Sequence, residues 1–198
     1  MHWIFVHYIE ILATITGFLY VIFAIRENIL LWASGIISSA LFVWVFYSSG
    51  IYAYSILYIY YVMMGIYGWY NWSRPAPSGD KTSERISVHR ISPHGLIACI
   101  SASLLVAIPV YILLLKFSES DGAWLDALLT SSGMVATWML TQKMIEQWIF
   151  WIVIDLLSCC FMIYKGLYPS SILFLAYTLL AIKGYFEWKK ELAFRESK

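Results

Sequence analysis

Charged side chains are scarce in this sequence: only 13% of its 198 residues are Asp, Glu, Lys or Arg, whereas 61% are hydrophobic. Soluble domains average about 25% charged and about 45–50% apolar residues, so a water-soluble globule is excluded. The formal net charge is only +1, which leaves no basic surface for binding nucleic acid. The sequence therefore predicts a protein that partners a lipid bilayer and no nucleic acid.

Motifs for catalysis and metal binding are also missing. The cysteines Cys99, Cys159 and Cys160 have neither CxxC spacing nor neighbouring histidines, which indicates neither a zinc site nor a disulfide framework. The sequence contains no phosphate-binding loop and no nucleophile elbow. We therefore expect no catalytic residues, no metal and no cofactor.

Seven apolar stretches are long enough to cross a membrane as helices. A hydrocarbon core of about 30 Å requires roughly 20 apolar residues, because a helix satisfies its own backbone hydrogen bonds. The stretches are residues 8–25, 29–47, 53–72, 94–115, 125–141, 147–164 and 169–187. They predict an all-α integral membrane protein with seven transmembrane helices.

The distribution of basic residues predicts the orientation in the membrane. Residues 73–93 and 189–198 are polar and predict a solvated linker and a tail. With seven spans, all of the 13 Lys and Arg residues except Lys116 and Lys165 lie on the side of the linker and the tail. Because cytoplasmic loops retain basic residues, the linker and C-terminus are expected in the cytoplasm and the N-terminus outside, in a bacterial-type inner membrane. The first residues lack the basic start of a cleavable signal peptide, so we expect them in the mature protein.

An internal repeat appears when the sequence is shifted by 116 positions. The matches need no gap and include rare residue types: Thr14 and Thr130, Gly17 and Gly133, Trp32 and Trp148, Gly68 and Gly184, and Trp72 and Trp188. They predict two three-helix repeats, residues 8–72 and 124–188. The additional helix at 94–115 makes the repeats parallel, a 3+1+3 arrangement found in transporters whose site lies between the halves.

Asp155 is the clearest candidate for a binding residue. It lies deep in the sixth span, and ionisable groups inside a membrane are functional candidates by default. Trp148 and Trp151 precede it at helical spacing and offer indole walls to a flat organic cation. The alternative is an aspartate that only ties helices together through hydrogen bonds.

The third span adds an aromatic stripe. Tyr58 and Tyr61 lie deepest and are candidates for lining a polar cavity, whereas Tyr54 and Trp72 are interpreted as interfacial residues. Ser39 joins the candidates because it aligns with Asp155 in the repeat.

Divergence between the repeats separates expected binding positions from expected packing positions. A substrate without twofold symmetry requires aligned positions to differ where they contact it, as Asp155 and Ser39 do. The matched glycines are instead expected at helix contacts: Gly17, Gly133, Gly68 and Gly184.

Two further acids, Glu10 and Asp126, lie near the outer ends of the first and fifth helices. They are candidates for attracting a cation to the entrance. The alternative for Asp126 is a role at the positive N-terminus of its own helix.

Several segments together resemble the Pnu family of vitamin transporters, which includes the PnuC-like and PnuT-like branches. They are residues 27–37, 50–53, 66–72, 143–155, 164–168 and 184–189. The resemblance implies a SWEET-related fold whose two bundles enclose one small vitamin precursor. It also implies a facilitator without a coupling ion, whose substrate is trapped afterwards by cytoplasmic phosphorylation.

The substrate is less firmly indicated. Nicotinamide riboside carriers of the family typically show Tyr-Ala-Asp and then Gln in the third span and Asn in the sixth, whereas this chain has Tyr54, Tyr58 and Asp155 at the differing positions. A carboxylate can pair with the aminopyrimidine of thiamine, so thiamine is slightly favoured over nicotinamide riboside. Riboflavin, a sugar, and a membrane sensor or enzyme are further alternatives, and association into a homo-oligomer is left open.

Overall fold

The structure, a computed structural model, describes residues 2–50, 52–74, 86–117 and 122–197. These residues form seven α-helices: α1 (His2–Ile25), α2 (Leu30–Ser48), α3 (Tyr52–Ser73), α4 (Pro93–Phe117), α5 (Ala123–Thr141), α6 (Gln147–Tyr164) and α7 (Tyr168–Glu196). Each helix contains one predicted span almost entirely, which confirms the all-α fold.

Two helices are longer than predicted. Helix α1 begins six residues before the predicted start at residue 8, and α7 continues nine residues beyond 187. The extension of α7 is polar, and its charges pair along the helix, with Lys190 Nζ 3.1 Å from Glu187 Oε1 and Arg195 Nε 2.8 Å from Glu191 Oε1. Pairs spaced three and four residues apart stabilise a helix that has left the apolar region.

Four of the described helices are both long and apolar enough to cross a membrane, namely α2, α4, α6 and α7. Helix α3 carries many tyrosines and tryptophans and α5 several serines and threonines, which lower their mean hydropathy. On α5, Ser131, Thr137 and Thr141 are buried, so part of this polarity lies in the interior of the bundle.

The helices form two groups, α1–α3 and α5–α7, which pack against each other. Helix α2 packs against α1 and α3 in one group, and α6 packs against α5 and α7 in the other. Between the groups, α1 contacts α7 and α3 contacts α5, while α4 packs mainly on α5. The first helix of each group thus meets the third helix of the other, which supports the proposed duplication.

Equivalent positions of the two groups also share unusual local geometry. Glu27 and Lys143 both have positive φ, 49° and 60°, although neither is glycine. Gly68 and Gly184 each lie under an indole, so that a Cβ atom would come within 2.4 Å of Trp32 and 2.6 Å of Trp148. Both glycines therefore allow close helix contact, as predicted for them.

Four buried indoles close one end of the bundle, which we call the tryptophan cluster: Trp32, Trp72, Trp148 and Trp188. Trp32 meets Trp72 edge to face at a centroid distance of 5.4 Å, and Trp148 meets Trp188 in the same way at 5.7 Å. Trp72, which the sequence predicts at a membrane interface, is instead buried, with 3% of its surface exposed. The reason is that its ring packs against Trp32 of one group, at 5.4 Å, and Trp188 of the other, at 6.4 Å.

Hydrogen bonds from the tryptophan cluster join the two groups. Trp72 Nε1 donates to the carbonyl oxygen of Thr141 at 3.2 Å, and Trp188 Nε1 donates to that of Ala24 at 3.0 Å. Beside them, Lys143 Nζ lies 3.0 Å from Glu27 Oε2 and 4.4 Å from the Trp72 ring centroid. This end is therefore closed by contacts between the groups.

The chain that precedes α4 is attached to the second group. His89 N donates to Lys143 O at 3.2 Å, Ile145 N donates to His89 O at 3.1 Å, and Ile91 N donates to Glu146 Oε2 at 3.0 Å. Val88 is 2% exposed and belongs to the core. Residues 86–92 of the predicted solvated linker are therefore packed against the rest of the protein. Their backbone pairs with the turn between α5 and α6, and Val88 joins the core there. Residues 75–85 lie outside the described part.

Candidate binding cavity

A cavity of about 330 Å³ lies between the two groups of helices. Its described lining comes from every helix except α4. One end is bounded by Trp32 and Trp148, two members of the tryptophan cluster, and by Leu140, which packs in the same core. The middle is bounded by aromatic, hydroxyl and carboxylate side chains from facing helices.

All six residues that the sequence predicts for the binding site line this cavity. They come from three helices: Ser39 on α2, Tyr58 and Tyr61 on α3, and Trp148, Trp151 and Asp155 on α6. The fold therefore brings the six side chains to one space, although they are distant in sequence. Their contact with a substrate stays a prediction.

Asp155 is a buried carboxylate, with 7% of its surface exposed. No cationic side chain within the described residues forms an ion pair with it. Taking a carboxylate out of water is costly unless a cation or hydrogen-bond donors compensate. A cationic ligand in the cavity would supply that compensation.

Aromatic rings from α2 and α3 form part of the cavity wall. The Tyr58 ring lies 5.0 Å from that of Phe42 and 5.7 Å from that of Tyr61, measured between centroids. The Phe46 ring lies 5.4 Å from that of Tyr58, so two aromatic residues of α2 hold the Tyr58 ring in place. Tyr54, which was expected at the interface, is not among the lining residues and is 37% exposed.

Of the two predicted entrance residues, only Asp126 has a described side chain. Asp126 lies in the first turn of α5 and does not line the cavity. Its position suits a carboxylate near a helix N-terminus, where the backbone N–H groups favour negative charge. Glu10 belongs to α1, but its side chain lies outside the described part.

Gly17, the first of the matched glycines, lies at a contact between α1 and α2 as expected and also borders the cavity. Gly17 lines the cavity, and a Cβ atom there would be 3.4 Å from Ser38 Oγ, an ordinary contact. Gly133 lies against two candidate binding residues, since its Cβ would be 3.3 Å from the Tyr61 hydroxyl and 3.5 Å from Trp151. Gly17 thus borders the cavity itself, and Gly133 packs against two of the side chains that line it.

Sequence reasoning missed Gln147, the first residue of α6. Gln147 lines the cavity and has no exposed surface, and neither its amide nitrogen nor its amide oxygen has a described hydrogen-bond partner. The Nε1 atoms of Trp32 and Trp148 are buried and unpartnered in the same way. The available signal was its spacing, since Gln147, Trp151 and Asp155 recur every fourth residue.

Known proteins share this organisation. A family model described as nicotinamide mononucleotide transporter matches residues 7–190. The chain belongs to the nicotinamide mononucleotide transporter family. This membership confirms the resemblance to the Pnu transporters and makes the chain a multi-pass membrane transporter and not an enzyme.

Two of its relatives in the nicotinamide mononucleotide transporter family are named nicotinamide riboside transporter PnuC. The protein of Escherichia coli (strain K12) is 23% identical over 202 residues, which cover 91% of this chain and 84% of that protein. The protein of Neisseria mucosa is 25% identical over 186 residues, covering 90% of this chain and 70% of that one. The riboflavin/roseoflavin transporter RibM of Streptomyces davaonensis is 27% identical over 127 residues, covering 63% and 58%.

A crystal structure of the vitamin B3 transporter PnuC shows the same fold as this family member. The two superpose with a TM-score of 0.72 at 23% identity, over 94% of this chain and 82% of the other. None of these proteins is named as a thiamine transporter or as a SWEET carrier. The slight preference for thiamine and the comparison with the SWEET fold are therefore not supported.

Proposed function

We propose that this chain carries nicotinamide riboside across the membrane through the central cavity. Nicotinamide riboside contains a flat pyridinium ring with a permanent positive charge. The observation that carries the proposal is Asp155, a buried carboxylate without a described cationic partner that shares the cavity with Trp151 and Trp148. A carboxylate and indole faces are the groups that bind such a ring, by charge pairing and cation–π contact.

The size of the cavity also favours a small ligand. Its volume of about 330 Å³ lies at the lower end of the ~300–1,000 Å³ range of ligand pockets. A nucleoside with one aromatic ring suits this space better than riboflavin, whose ring system is three rings wide.

Thiamine is the second candidate, because Asp155 replaces the asparagine expected of a nicotinamide riboside carrier. Thiamine also carries a ring cation, and its aminopyrimidine can pair with a carboxylate. Nicotinamide riboside is preferred because relatives that cover most of this chain are named for it.

We further propose the orientation and the mode of transport. The linker and the tryptophan cluster face the cytoplasm, in accordance with the basic residues on that side. Transport is facilitated and needs no coupling ion, and cytoplasmic phosphorylation retains the substrate.

A binding panel tests the choice of substrate. Isothermal titration calorimetry of the purified protein would compare nicotinamide riboside, thiamine, riboflavin and glucose. We expect the highest affinity for nicotinamide riboside. Tighter binding of any other member of the panel would reject the proposal in favour of that ligand.

A further inference from the structure

Gln147 is a polar side chain that the fold buries without pairing it. It has no exposed surface, it lines the cavity, and both polar atoms of its amide lack a hydrogen-bond partner among the described residues. Protein interiors pair the great majority of buried amides, because an unpaired amide loses its hydrogen bonds to water without replacement. The amide of Gln147 is therefore available to a group that enters the cavity.

The surroundings of Gln147 provide more donors of the same kind. The indole Nε1 atoms of Trp32 and Trp148 are buried and unpartnered, and both residues line the cavity. An indole N–H only donates, whereas a glutamine amide both donates and accepts. Together the three side chains offer several donors and one acceptor, which complements a planar group with a carbonyl oxygen and an N–H.

We propose that Gln147 is a specificity-determining residue that binds the carboxamide of the nicotinamide ring. Gln147 Nε2 donates to the carboxamide oxygen, and the carboxamide nitrogen donates to Gln147 Oε1. The indole N–H groups of Trp32 and Trp148 are further donors to the oxygen. This inference rests on the proposed function, since it assigns one part of the proposed substrate to one end of the cavity.

The spacing along α6 agrees with this assignment. Gln147 and Asp155 are eight residues apart, about 12 Å along the helix axis at ~1.5 Å per residue. Trp151 lies midway and lines the same cavity. A pyridinium ring beside Trp151 can therefore place its positive charge towards Asp155 and its carboxamide towards Gln147.

The assignment predicts discrimination between two ligands of the same shape. Nicotinic acid riboside carries a carboxylate in place of the carboxamide, and a carboxylate only accepts hydrogen bonds. It would leave Gln147 Oε1 facing another oxygen atom, which opposes binding. Wild-type protein should therefore bind nicotinamide riboside more tightly than nicotinic acid riboside.

The test measures both affinities by isothermal titration calorimetry in wild-type protein and in Gln147→Leu and Gln147→Met. Both substitutions introduce an apolar side chain of similar size and remove the amide. We expect the affinity for nicotinamide riboside to fall about tenfold or more, as the loss of two hydrogen bonds implies. The affinity for nicotinic acid riboside should change less, so the ratio of the two affinities should shrink.

Gln142→Leu is the matched control. Gln142 also lies at this end of the bundle, but its Nε2 donates to the Tyr67 hydroxyl at 3.0 Å and it does not line the cavity. This variant should keep the wild-type ratio of affinities. Thermal unfolding without ligand reports folding, and Gln147→Leu should unfold at a higher temperature than wild type because it removes an unpaired buried amide.

Each other result overturns the inference in a recognisable way. Equal wild-type affinity for the two ligands, or an unchanged ratio in a folded Gln147 variant, would remove Gln147 from the role while leaving the proposed function intact. An equal loss for both ligands would indicate a purely structural glutamine. Failure of wild-type protein to bind nicotinamide riboside while binding another vitamin would overturn the proposed function and the carboxamide contact together.

Discussion

At the scale of single residues, the chemistry of the cavity depends on a few polar atoms among many apolar ones. Asp155 brings a charge, Gln147 brings an unpaired amide, and Tyr58, Tyr61 and the indoles bring polarisable rings. In a low-dielectric interior each polar atom acts strongly on a ligand, because little water competes with it. Single substitutions should therefore change binding more than folding.

Asp155→Asn preserves the shape of the side chain and removes its charge. If the carboxylate pairs with a cationic ring, the variant loses about 1.5–3 kcal/mol, or ~10- to 100-fold in affinity. Calorimetric titration with nicotinamide riboside measures the change. The control is Glu187→Gln, since Glu187 is exposed and paired with Lys190. Wild-type affinity in folded Asp155→Asn would return Asp155 to a structural role.

Trp151→Ala removes the aromatic wall beside Asp155. The loss of a cation–π contact, worth about 0.5–2 kcal/mol, should lower the affinity several-fold. Trp138→Ala is the control, because Trp138 is 40% exposed and does not line the cavity. Equal affinities in the two variants would show that the Trp151 ring does not contact the ligand.

Sequence patterns located some of these residues and not others. Asp155 and Trp151 could be predicted because a charge inside a hydrophobic span is conspicuous and helical spacing places an indole beside it. Gln147 shares their helical spacing, but its lack of a hydrogen-bond partner is visible only in the folded arrangement. For the same reason the sequence did not show that Gly17 borders the cavity in addition to contacting α2.

At the scale of helices, hydropathy predicted the elements well because each span must satisfy its own backbone hydrogen bonds. The ends were predicted less well where polar chain remains helical, as at the end of α7. The docked segment 86–92 was missed because its pairing with the α5–α6 turn is a contact between distant residues.

Gly68→Ala and Gly184→Ala should destabilise the helix contacts. A Cβ atom would lie 2.4 Å from Trp32 in the first case and 2.6 Å from Trp148 in the second. Both indoles are buried and cannot move freely, so overpacking should cost about 1–3 kcal/mol. Thermal unfolding in detergent should show a lower midpoint for both variants. Gly17→Ala, with its nearest contact at 3.4 Å, should unfold near the wild-type temperature; an equal loss there would contradict this explanation.

The ion pair between Glu27 and Lys143 connects equivalent turns of the two groups. Its Lys143 and Glu27 side chains are only 11% and 18% exposed, so reversing one charge should lower the thermal midpoint clearly. The double variant Glu27→Lys with Lys143→Glu restores opposite charges at positions with similar φ, and should recover much of the loss. Additive losses in the double variant would show that the pair does not couple the groups.

At the scale of the whole molecule, the sequence was sufficient for the fold class and the family but not for the substrate. The repeat at an offset of 116 and the segments around Trp148 identify the architecture, because rare residues recur at fixed positions. Thiamine and nicotinamide riboside are both small aromatic cations, so Asp155 and Trp151 suit either one. In our proposal, the choice between them depends on neutral hydrogen-bonding groups such as Gln147.

The most direct measurement of the central claim is the uptake of labelled nicotinamide riboside into proteoliposomes. We expect the ligand to enter until its internal concentration equals the external one, at a rate well above that of protein-free liposomes. An imposed proton or sodium gradient should leave this final level unchanged. Entry no faster than in protein-free liposomes would contradict the proposal that the cavity carries this substrate, and gradient-driven accumulation above the external concentration would contradict facilitated transport.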